Sequence, residues 1–145
     1  MEAFNKYLKQ FPHYTPGVYE NALPFLSEKI IKPNEFLLHQ GKVSRSIAFI
    51  EKGLLRLFYL NDGKEITNCF CKENSITTSY KSLITQQESE MSIQAVEESK
   101  LIMLSYDSLQ HLFKKDLFWQ QVATSNIQLF IFGVTRDTYY FHSVQ

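Results

Sequence analysis

The sequence has no excess of charge of either sign. Its 145 residues include fifteen Lys and Arg and fifteen Asp and Glu, so the formal net charge is zero. Proteins that bind nucleic acid need surplus positive charge to neutralise phosphates. The composition therefore predicts that this chain does not bind DNA or RNA on its own.

Long apolar runs are also missing. The longest, LFIFGV, is far shorter than the roughly 20 residues that cross a bilayer. The opening residues MEAFNKYLKQFPHYTP lack the apolar centre of a secretory signal peptide. We therefore expect no association with a membrane and a cytoplasmic location.

Cysteine is scarce, and histidine is scattered. Cys69 and Cys71 share one face of a predicted strand, where a disulfide does not form easily. Two reduced thiols are the simpler interpretation, and a redox role stays open. An iron–sulfur cluster normally takes four thiolates, which this chain does not have. The four histidines, His13, His39, His111 and His142, form no paired metal-ligand motif.

The signatures of common enzymes are absent as well. The sequence has neither a Ser–His–Asp arrangement nor a glycine-rich phosphate loop. The adjacent acids Glu97 and Glu98 fall at a predicted turn, where their carboxylates are most simply exposed to solvent. We predict no catalytic residue, no metal and no cofactor.

What the sequence does have is a series of short apolar segments separated by turn residues. Residues 25–72 hold about five strands at the regular spacing of an all-β barrel or sandwich. Gly41, Gly53 and Gly63 each stand between two of these strands, and NDG at residues 61–63 is a hairpin signal. Two more strands are predicted in SEMSIQAVEE and KLIMLS, residues 89–98 and 100–105.

Helical patterns flank this β-rich region. Residues 2–10 favour a short helix, which the prolines and glycine of FPHYTPG interrupt. From residue 116 onward, apolar residues recur at helical spacing in two adjacent stripes. The two stripes are explained if one packs on the chain's own barrel and the other packs on a partner chain. The alternative is a simple core helix. The first stripe contains Phe118, Val122, Leu129 and Phe132 with Ser125, and the second contains Ala123, Ile127, Phe130 and Val134.

The order of these elements resembles a known family. The succession of HQG, EKG and NDGKEI between strands, followed by a short helix, two strands and a long helix, looks like the effector domain of the Crp/Fnr transcription regulators. LSYDSLQHLF is similar to that family's exit strand and following helix, and GLLRLFY resembles a Bacteroidetes-type subgroup. The resemblance spans roughly residues 20–140.

The resemblance implies the fold and its division into parts. It implies a mainly β fold with flanking helices (α+β): a double-stranded β-helix, that is, a β-roll or jelly roll of the cyclic-nucleotide-binding type, followed by a long C-terminal dimerisation helix. We expect an N-terminal helical segment at residues 1–20, a sensor roll at 21–115 and the dimerisation helix at 116–145. The helix residues expected at a dimer interface are Val122, Ser125, Leu129, Phe132 and Gly133.

The family's phosphate-binding segment is where this sequence departs. Family members carry Gly-Glu-Leu at the start of a short helix and an Arg followed by a small hydroxyl residue on the next strand. No arginine occurs between Arg56 and Arg136, and Lys81 lacks the bidentate fork of arginine. We therefore expect weak or no binding of cyclic AMP. The residues at these positions are Thr77, Thr78, Ser79 and Tyr80 for the tripeptide, and Ser89 and Glu90 for the arginine.

Further lining positions follow from the same resemblance. Leu57, Cys69 and Cys71 fall on strands whose alternate residues face the family's pocket, and Thr135 falls where the long helix offers a hydroxyl to the base. Each of them also fits an ordinary interior or helix-surface position. The Thr-Thr-Ser cluster can hydrogen-bond a small polar ligand, or it can be a helix N-cap with exposed hydroxyls.

The expected function is ligand sensing and dimerisation within a Crp/Fnr-like transcription regulator. The expected partners are a second copy of the chain, an unknown small-molecule effector, and DNA only through a helix-turn-helix that does not occur in this chain. We expect a fragment of a longer regulator, with a stand-alone sensor as the alternative. Two other classes stay open: a ligand-free dimerisation or interaction domain, and a small-molecule enzyme of the cupin type.

Overall fold

The computed structural model describes residues 1–126. It begins with helices α1 (Glu2–Leu8) and α2 (Pro16–Ala22), followed by a 3₁₀ turn at Leu23–Phe25. The first six strands are β1 (Leu26–Ile31), β2 (Phe36–Leu38), β3 (Ser46–Lys52), β4 (Leu54–Asn61), β5 (Lys64–Lys72) and β6 (Ile76–Thr77). Helix α3 (Tyr80–Thr85), β7 (Ser92–Ala95), β8 (Ser99–Ser105) and α4 (Tyr106–Lys115) come next, and residues 117–126 form helix α5.

The strands of residues 1–126 form two antiparallel sheets of four strands each. One sheet has the order β1-β8-β3-β6 and the other the order β2-β7-β4-β5. Strands distant in sequence are neighbours in both sheets, as in a roll and unlike in a simple meander. The predicted mainly β fold with flanking helices is confirmed, whereas most of the predicted C-terminal helix lies outside the described residues.

Strand β3 contributes to two separate cores because its side chains alternate between the faces of the sheet. Ala48 and Ile50 point between the two sheets, where each is 0% exposed. Ile47 and Phe49 point to the other face, toward the helices. We call the core between the sheets the roll interior; its buried members are Ile31, Ala48, Ile50, Leu55, Leu57, Ile93, Ala95 and Leu101.

The second core, here the helix-side core, is larger and rich in aromatic residues. It packs the outer face of the first sheet against the helices through Phe4, Leu8, Val18, Ala22, Ile47, Phe49, Leu83, Ile102, Leu104, Leu109, Leu112, Phe118, Trp119 and Val122. The ring centroids of Phe4 and Phe49 are 5.1 Å apart, and the Tyr7 hydroxyl lies 3.3 Å from Oδ1 of Asn126. Helices α1 and α5 therefore meet over the same sheet. Among residues 1–126, none of the helices has the length and apolarity needed to cross a bilayer.

Helix α2 is an element that the sequence interpretation missed. The prolines of FPHYTPG suggested only an interruption, but Pro16 occupies the first turn of the helix after Thr15 in extended conformation. Proline suits that position because its φ is already helical and its missing N–H has no partner there anyway. Val18 and Ala22 of this helix are buried in the helix-side core.

Gly53 is required where β3 turns into β4. Its φ is +116°, and a Cβ built on it would lie 2.6 Å from the Cα of Ser99. Both the left-handed backbone and the close approach of β8 exclude a side chain. Gly41 also has a positive φ, of +90°, but no atom lies within 4 Å of the place its Cβ would take.

Candidate functional site

Five hydroxyl-bearing residues, here called the hydroxyl cluster, meet at one end of the roll: Ser44, Thr78, Ser79, Ser82 and Ser89. All are buried, with exposures between 2% and 6%. The hydroxyls of Ser44 and Thr78 are 2.8 Å apart, and Thr78 donates to the carbonyl of Ser46 at 2.9 Å. The cluster therefore joins the turn before β3 to the segment between β6 and α3.

Ser79 and Ser89, expected from sequence at the two halves of the phosphate-binding segment, are in direct contact. Ser89 Oγ donates to Ser79 Oγ at 2.8 Å. Ser79 is the N-cap residue of α3, yet its side chain makes no capping hydrogen bond. Its hydroxyl is turned inward and is not exposed, so the interpretation of this cluster as an exposed N-cap is wrong for Ser79.

Ser82 holds the short helix α3 against the turn before β3. Its hydroxyl oxygen accepts from the backbone N–H of Ser44 at 2.8 Å, and its hydroxyl donates to the carbonyl of Gln87. Gln86 ends the helix in the left-handed conformation and donates from Nε2 to the carbonyl of Ser44 at 3.1 Å. These bonds fix α3 to Ser44 from both sides.

A polar cavity of about 190 Å³ lies beside the hydroxyl cluster. Hydroxyl side chains of Ser44, Ser46, Thr77 and Thr78 supply donors and acceptors to its lining. The rest of the lining is Leu37, Leu38, Val43, Arg45 and Ile93. Arg45 is exposed and is the only cationic residue among the lining residues. The sequence interpretation missed it because it looked for a cation only after β5, and the turn GKVSR between β2 and β3 gave no phosphate-binding pattern.

Leu57, Cys69 and Cys71 form part of the adjoining wall of the roll. Leu57 is 4% exposed and lies opposite Cys69 in the pairing of β4 with β5. The sulfur of Cys71 is 3.4 Å from Oγ1 of Thr77. The structure therefore brings three of the residues expected from sequence, Leu57, Cys71 and Thr77, to neighbouring positions inside the roll.

Glu90 and Tyr80, also expected in the pocket, lie elsewhere. The side chain of Glu90 is 78% exposed and pairs with Lys81 at 3.3 Å on the surface. Ser89, directly before it in the chain, is buried instead, at 4% exposure. Tyr80 lines a different cavity, and burial raises the pKa of its hydroxyl above the ordinary value for tyrosine.

That second cavity is apolar and measures about 90 Å³. It lies between α3, α4 and α5, on the helix side of the first sheet. Its lining residues are Ile47, Ile76, Tyr80, Leu83, Ile84, Tyr106, Leu109, Phe113, Trp119, Val122, Ala123 and Asn126. The indole N–H of Trp119 is buried and has no hydrogen-bond partner within residues 1–126.

The described part of the predicted dimerisation helix is anchored to its own chain. Val122 is 4% exposed and belongs to the helix-side core. Ser125 is half-buried. Val122 is thus covered within its own chain, and dimerisation through this helix stays a prediction. Leu129, Phe132, Gly133 and Thr135 lie outside the described residues.

Groups of residues that could hold a metal ion do not occur in the described part of the chain. No three His, Cys, Asp or Glu residues among residues 1–126 are close enough to hold a metal ion. His39 stacks on Phe36 with ring centroids 4.1 Å apart. The polar side chains that line the cavity are four hydroxyls and the guanidinium of Arg45, whose chemistry is hydrogen bonding.

Solved structures with the same fold include bacterial sensor proteins. A cyclic nucleotide-binding domain from Methylobacillus flagellatus aligns with a TM-score of 0.81 at 16% identity, covering 95% of this chain and 79% of that one. The catabolite activator protein of Thermus thermophilus aligns with 0.73 at 20% identity, covering 93% of this chain. The sensor domain of the transcriptional regulator DNR from Pseudomonas aeruginosa aligns with 0.73 at 13%, covering 88% of this chain and 85% of that one.

This chain spans 63% of the length of the Thermus protein. No curated protein matches it by sequence. The family model for the cyclic nucleotide-binding domain matches residues 28–116, more than half of the chain. Domains of this kind are typically regulatory and not catalytic. By its fold and by this match, the chain belongs to the cyclic nucleotide-binding domain family.

Proposed function

We propose that this chain is the effector-sensing domain of a Crp/Fnr-type transcription regulator of the Bacteroidetes type, and that its effector is a small polar molecule other than a cyclic nucleotide. The observation that carries this proposal is the hydrogen bond between Ser79 and Ser89. By the family resemblance, these two serines stand at the positions where nucleotide-binding relatives hold the phosphate and carry its arginine.

Electrostatics disfavours a cyclic phosphate at this site. An anion held inside a protein needs a cation or several aligned N–H groups to replace its hydration. Ser89 is neutral, and Lys81 is engaged by Glu90 on the surface. Beside Ser79 and Ser89 a phosphate would meet neutral hydroxyls, and the cation that lines the cavity, Arg45, is exposed to water, which weakens its attraction for an anion.

Size disfavours a nucleotide as well. Sites for ligands of drug size usually enclose about 300–1,000 Å³. The polar cavity here encloses about 190 Å³. Its hydroxyls from Ser44, Thr77 and Thr78 both donate and accept, which suits a compact molecule with several polar groups. Arg45 at the exposed side of the cavity offers a donor to an acceptor group of such a molecule.

The sensing mechanism we infer is a shift between two arrangements of the helices. Ser44 precedes β3 and Ser46 begins it, and β3 also carries Phe49 of the helix-side core. An effector that binds one arrangement more tightly populates it at the expense of the other. In the whole regulator, a homodimer joined by the C-terminal helix would pass this change to helix-turn-helix domains that read DNA.

Calorimetric titration with cyclic AMP and cyclic GMP tests the proposal. We expect no saturable heat with either nucleotide at high micromolar concentration. A dissociation constant in the micromolar range for either nucleotide would overturn the assignment of the effector.

A rebuilt site provides the matched control. Ser79→Glu combined with Ser89→Arg restores the charges that a cyclic phosphate and its ribose require, at the two positions that now share a hydrogen bond. We expect this double variant to bind cyclic AMP more tightly than the natural chain. If the double variant is folded by circular dichroism but binds cyclic AMP no better than the natural chain, the two serines do not determine which ligand is bound.

The pairing of hydroxyls with one another also favours a second candidate, a ligand-free dimerisation domain. Screening small polar molecules by NMR separates the two candidates. Amide shifts confined to Ser44, Ser46, Thr77 and Thr78 support sensing. A cavity that responds to no member of a broad set, in a protein that is still a dimer by light scattering, supports the ligand-free alternative.

A further inference from the structure

The apolar cavity on the helix side, of about 90 Å³, has walls from three helices and one sheet. Leu83 comes from α3, Leu109 from α4 and Val122 from α5, and each is at most 6% exposed. Ile47 of β3 contributes to the wall from the sheet side. This cavity and the polar cavity have no lining residue in common. The two spaces are therefore separate candidate sites on the two faces of the first sheet.

One residue of this wall carries a hydrogen-bond donor that has no acceptor. Trp119 is 1% exposed, and its indole N–H has no partner in the described part of the chain. The amide of Asn126, in the same lining, is engaged, because its Nδ2 donates to the carbonyl of Val122 at 2.8 Å. A buried donor without an acceptor has lost its bond to water and gained none in return. A molecule in the cavity that carries an acceptor would supply the missing bond.

The volume and the walls limit which molecule fits. An apolar cavity of about 150 Å³ is known to stay dry and to take up benzene. By that proportion, the 90 Å³ here suits a molecule of about four or five non-hydrogen atoms, far smaller than a nucleotide or a peptide segment. A water molecule needs about two to four polar partners, which walls that are mostly aliphatic and aromatic do not provide. The walls therefore favour a small apolar body over water.

Helix α3 gives such a molecule a way in and links the cavity to the rest of the fold. Ile84 lines the cavity and is 56% exposed, so the wall reaches the surface beside α3. The same helix carries Ser82, whose hydroxyl oxygen accepts from the backbone N–H of Ser44 in the hydroxyl cluster. A molecule in the apolar cavity therefore lies against the helix that borders the polar end of the roll.

We propose that this cavity is a binding site for a short-chain ketone or a similar small apolar molecule with one acceptor oxygen. Its carbon atoms lie among Leu83, Leu109 and Val122, and its oxygen accepts from the indole N–H of Trp119. Binding makes and breaks no covalent bond. This site goes beyond effector sensing and stands whatever molecule occupies the polar cavity.

Titration with 2-butanone, followed by NMR, tests the site directly. Trp119 is the only tryptophan of the chain, so its indole N–H proton gives one assigned signal. We expect 2-butanone to move that signal downfield in a saturable way, because a new hydrogen bond deshields the proton. The alkene 2-methyl-1-butene has the same shape without the oxygen, and it should shift the methyl signals of Leu83 and Val122 but not move the indole proton downfield. No saturable indole shift with the ketone, or the same downfield shift with the alkene, overturns the proposal.

A cavity-filling variant locates the bound molecule. Ala123 lines the cavity and is half-buried, so Ala123→Met places a longer side chain in the space. We expect this variant to bind 2-butanone about 10-fold more weakly or not at all. Gln121→Met, at an exposed position of the same helix, is the matched control and should bind as the natural chain does. Unchanged binding by Ala123→Met would place the ketone elsewhere and overturn the proposal.

Trp119→Phe tests the hydrogen bond, since it keeps an aromatic ring and removes the N–H. We expect the affinity for 2-butanone to fall about 3- to 10-fold relative to the affinity for 2-methyl-1-butene, measured by the methyl signals of Leu83 and Val122. An unchanged ratio of the two affinities means that the indole does not hold the oxygen and contradicts the proposed ligand class. Melting curves of all three variants confirm that they remain folded.

Discussion

The two faces of strand β3 carry cores of opposite character. On the helix side, large rings fill the space: Phe49 lies against Phe4 and Tyr7, with centroid distances of 5.1 and 5.3 Å. On the inner side, Ala48 and Ile50 face aliphatic residues, mostly leucine and isoleucine, and hydroxyls surround a polar cavity at one end of the roll. The difference shows that the larger and more aromatic of the two cores lies on the helix side, away from the polar cavity. The end of the roll beside that cavity is held together by hydrogen bonds among hydroxyls.

The largest effect is expected on the helix side. Phe49→Ala removes a ring that is 1% exposed and joins α1 to the sheet. We expect the free energy of unfolding to fall by about 3–5 kcal/mol, because the cavity cannot close fully. Urea unfolding followed by circular dichroism measures it.

Phe70→Ala is the matched control, since that ring is 40% exposed. We expect it to cost well under half as much. If both variants lose the same free energy of unfolding, burial of the Phe49 ring in the helix-side core does not account for its contribution.

The next effect belongs to the turn between the two cores. Gly53→Ala forces a positive φ on alanine and pushes its Cβ into Ser99. We expect a loss of about 2–4 kcal/mol from strain and overpacking together. Gly41→Ala shares the unfavourable φ but meets no atom, so we expect only about 1–2 kcal/mol. If thermal melts show the same loss of stability for both variants, the close approach of β8 to Gly53 does not contribute to the loss.

A smaller effect is expected in the hydroxyl cluster. Thr78→Val keeps the shape of the side chain but removes its hydrogen bonds to Ser44 and to the carbonyl of Ser46. Those groups stay buried, so we expect a loss of about 1–3 kcal/mol. Thr85→Val, at an exposed position, should change the free energy of unfolding by about 0.5 kcal/mol or less. An unchanged midpoint for Thr78→Val in urea would show that the cluster does not hold this end of the roll together.

The smallest effect is a change in how stability depends on pH in the alkaline range. Burial raises the pKa of Tyr80 above its ordinary value of 10.0, so the folded chain holds this proton more tightly than the unfolded chain. The resulting stability is fully present below pH 10 and is lost as the pH rises toward the folded pKa. Tyr80→Phe should therefore flatten the decline of the melting temperature between pH 9 and 12. Parallel curves for both proteins would contradict the assignment.

The strands and their turns were predictable from sequence because the signals are local. The continuous apolar run at residues 47–50 and the turn glycine Gly53 after it depend only on neighbours along the chain. Helix α2 was missed because proline was taken as a breaker and not as a first-turn residue. The two-residue strand β6 is too short to leave any periodic signal.

The site was predictable only in part. Ser79 and Ser89 came from the family resemblance, and the structure brings them into contact. Arg45 was missed because it reaches the cavity through the turn between β2 and β3, a proximity that no local pattern encodes. Glu90 was predicted in the pocket because residue spacing alone did not show whether the side chain of Ser89 or that of Glu90 faces inward.

Strand β3 has a thermodynamic consequence of its own. The seven residues Ser46–Lys52 contribute side chains both to the roll interior and to the helix-side core. We therefore expect a movement of the helices to be coupled to a movement of the roll. If binding of the proposed effector multiplies the equilibrium constant between two placements of the helices by some factor, the favoured placement binds the effector more tightly than the other by the same factor. A substitution under the helices, far from any ligand contact, should therefore alter affinity for the effector. Conversely, the strength of signalling is bounded by how differently the cavity fits its ligand in the two placements.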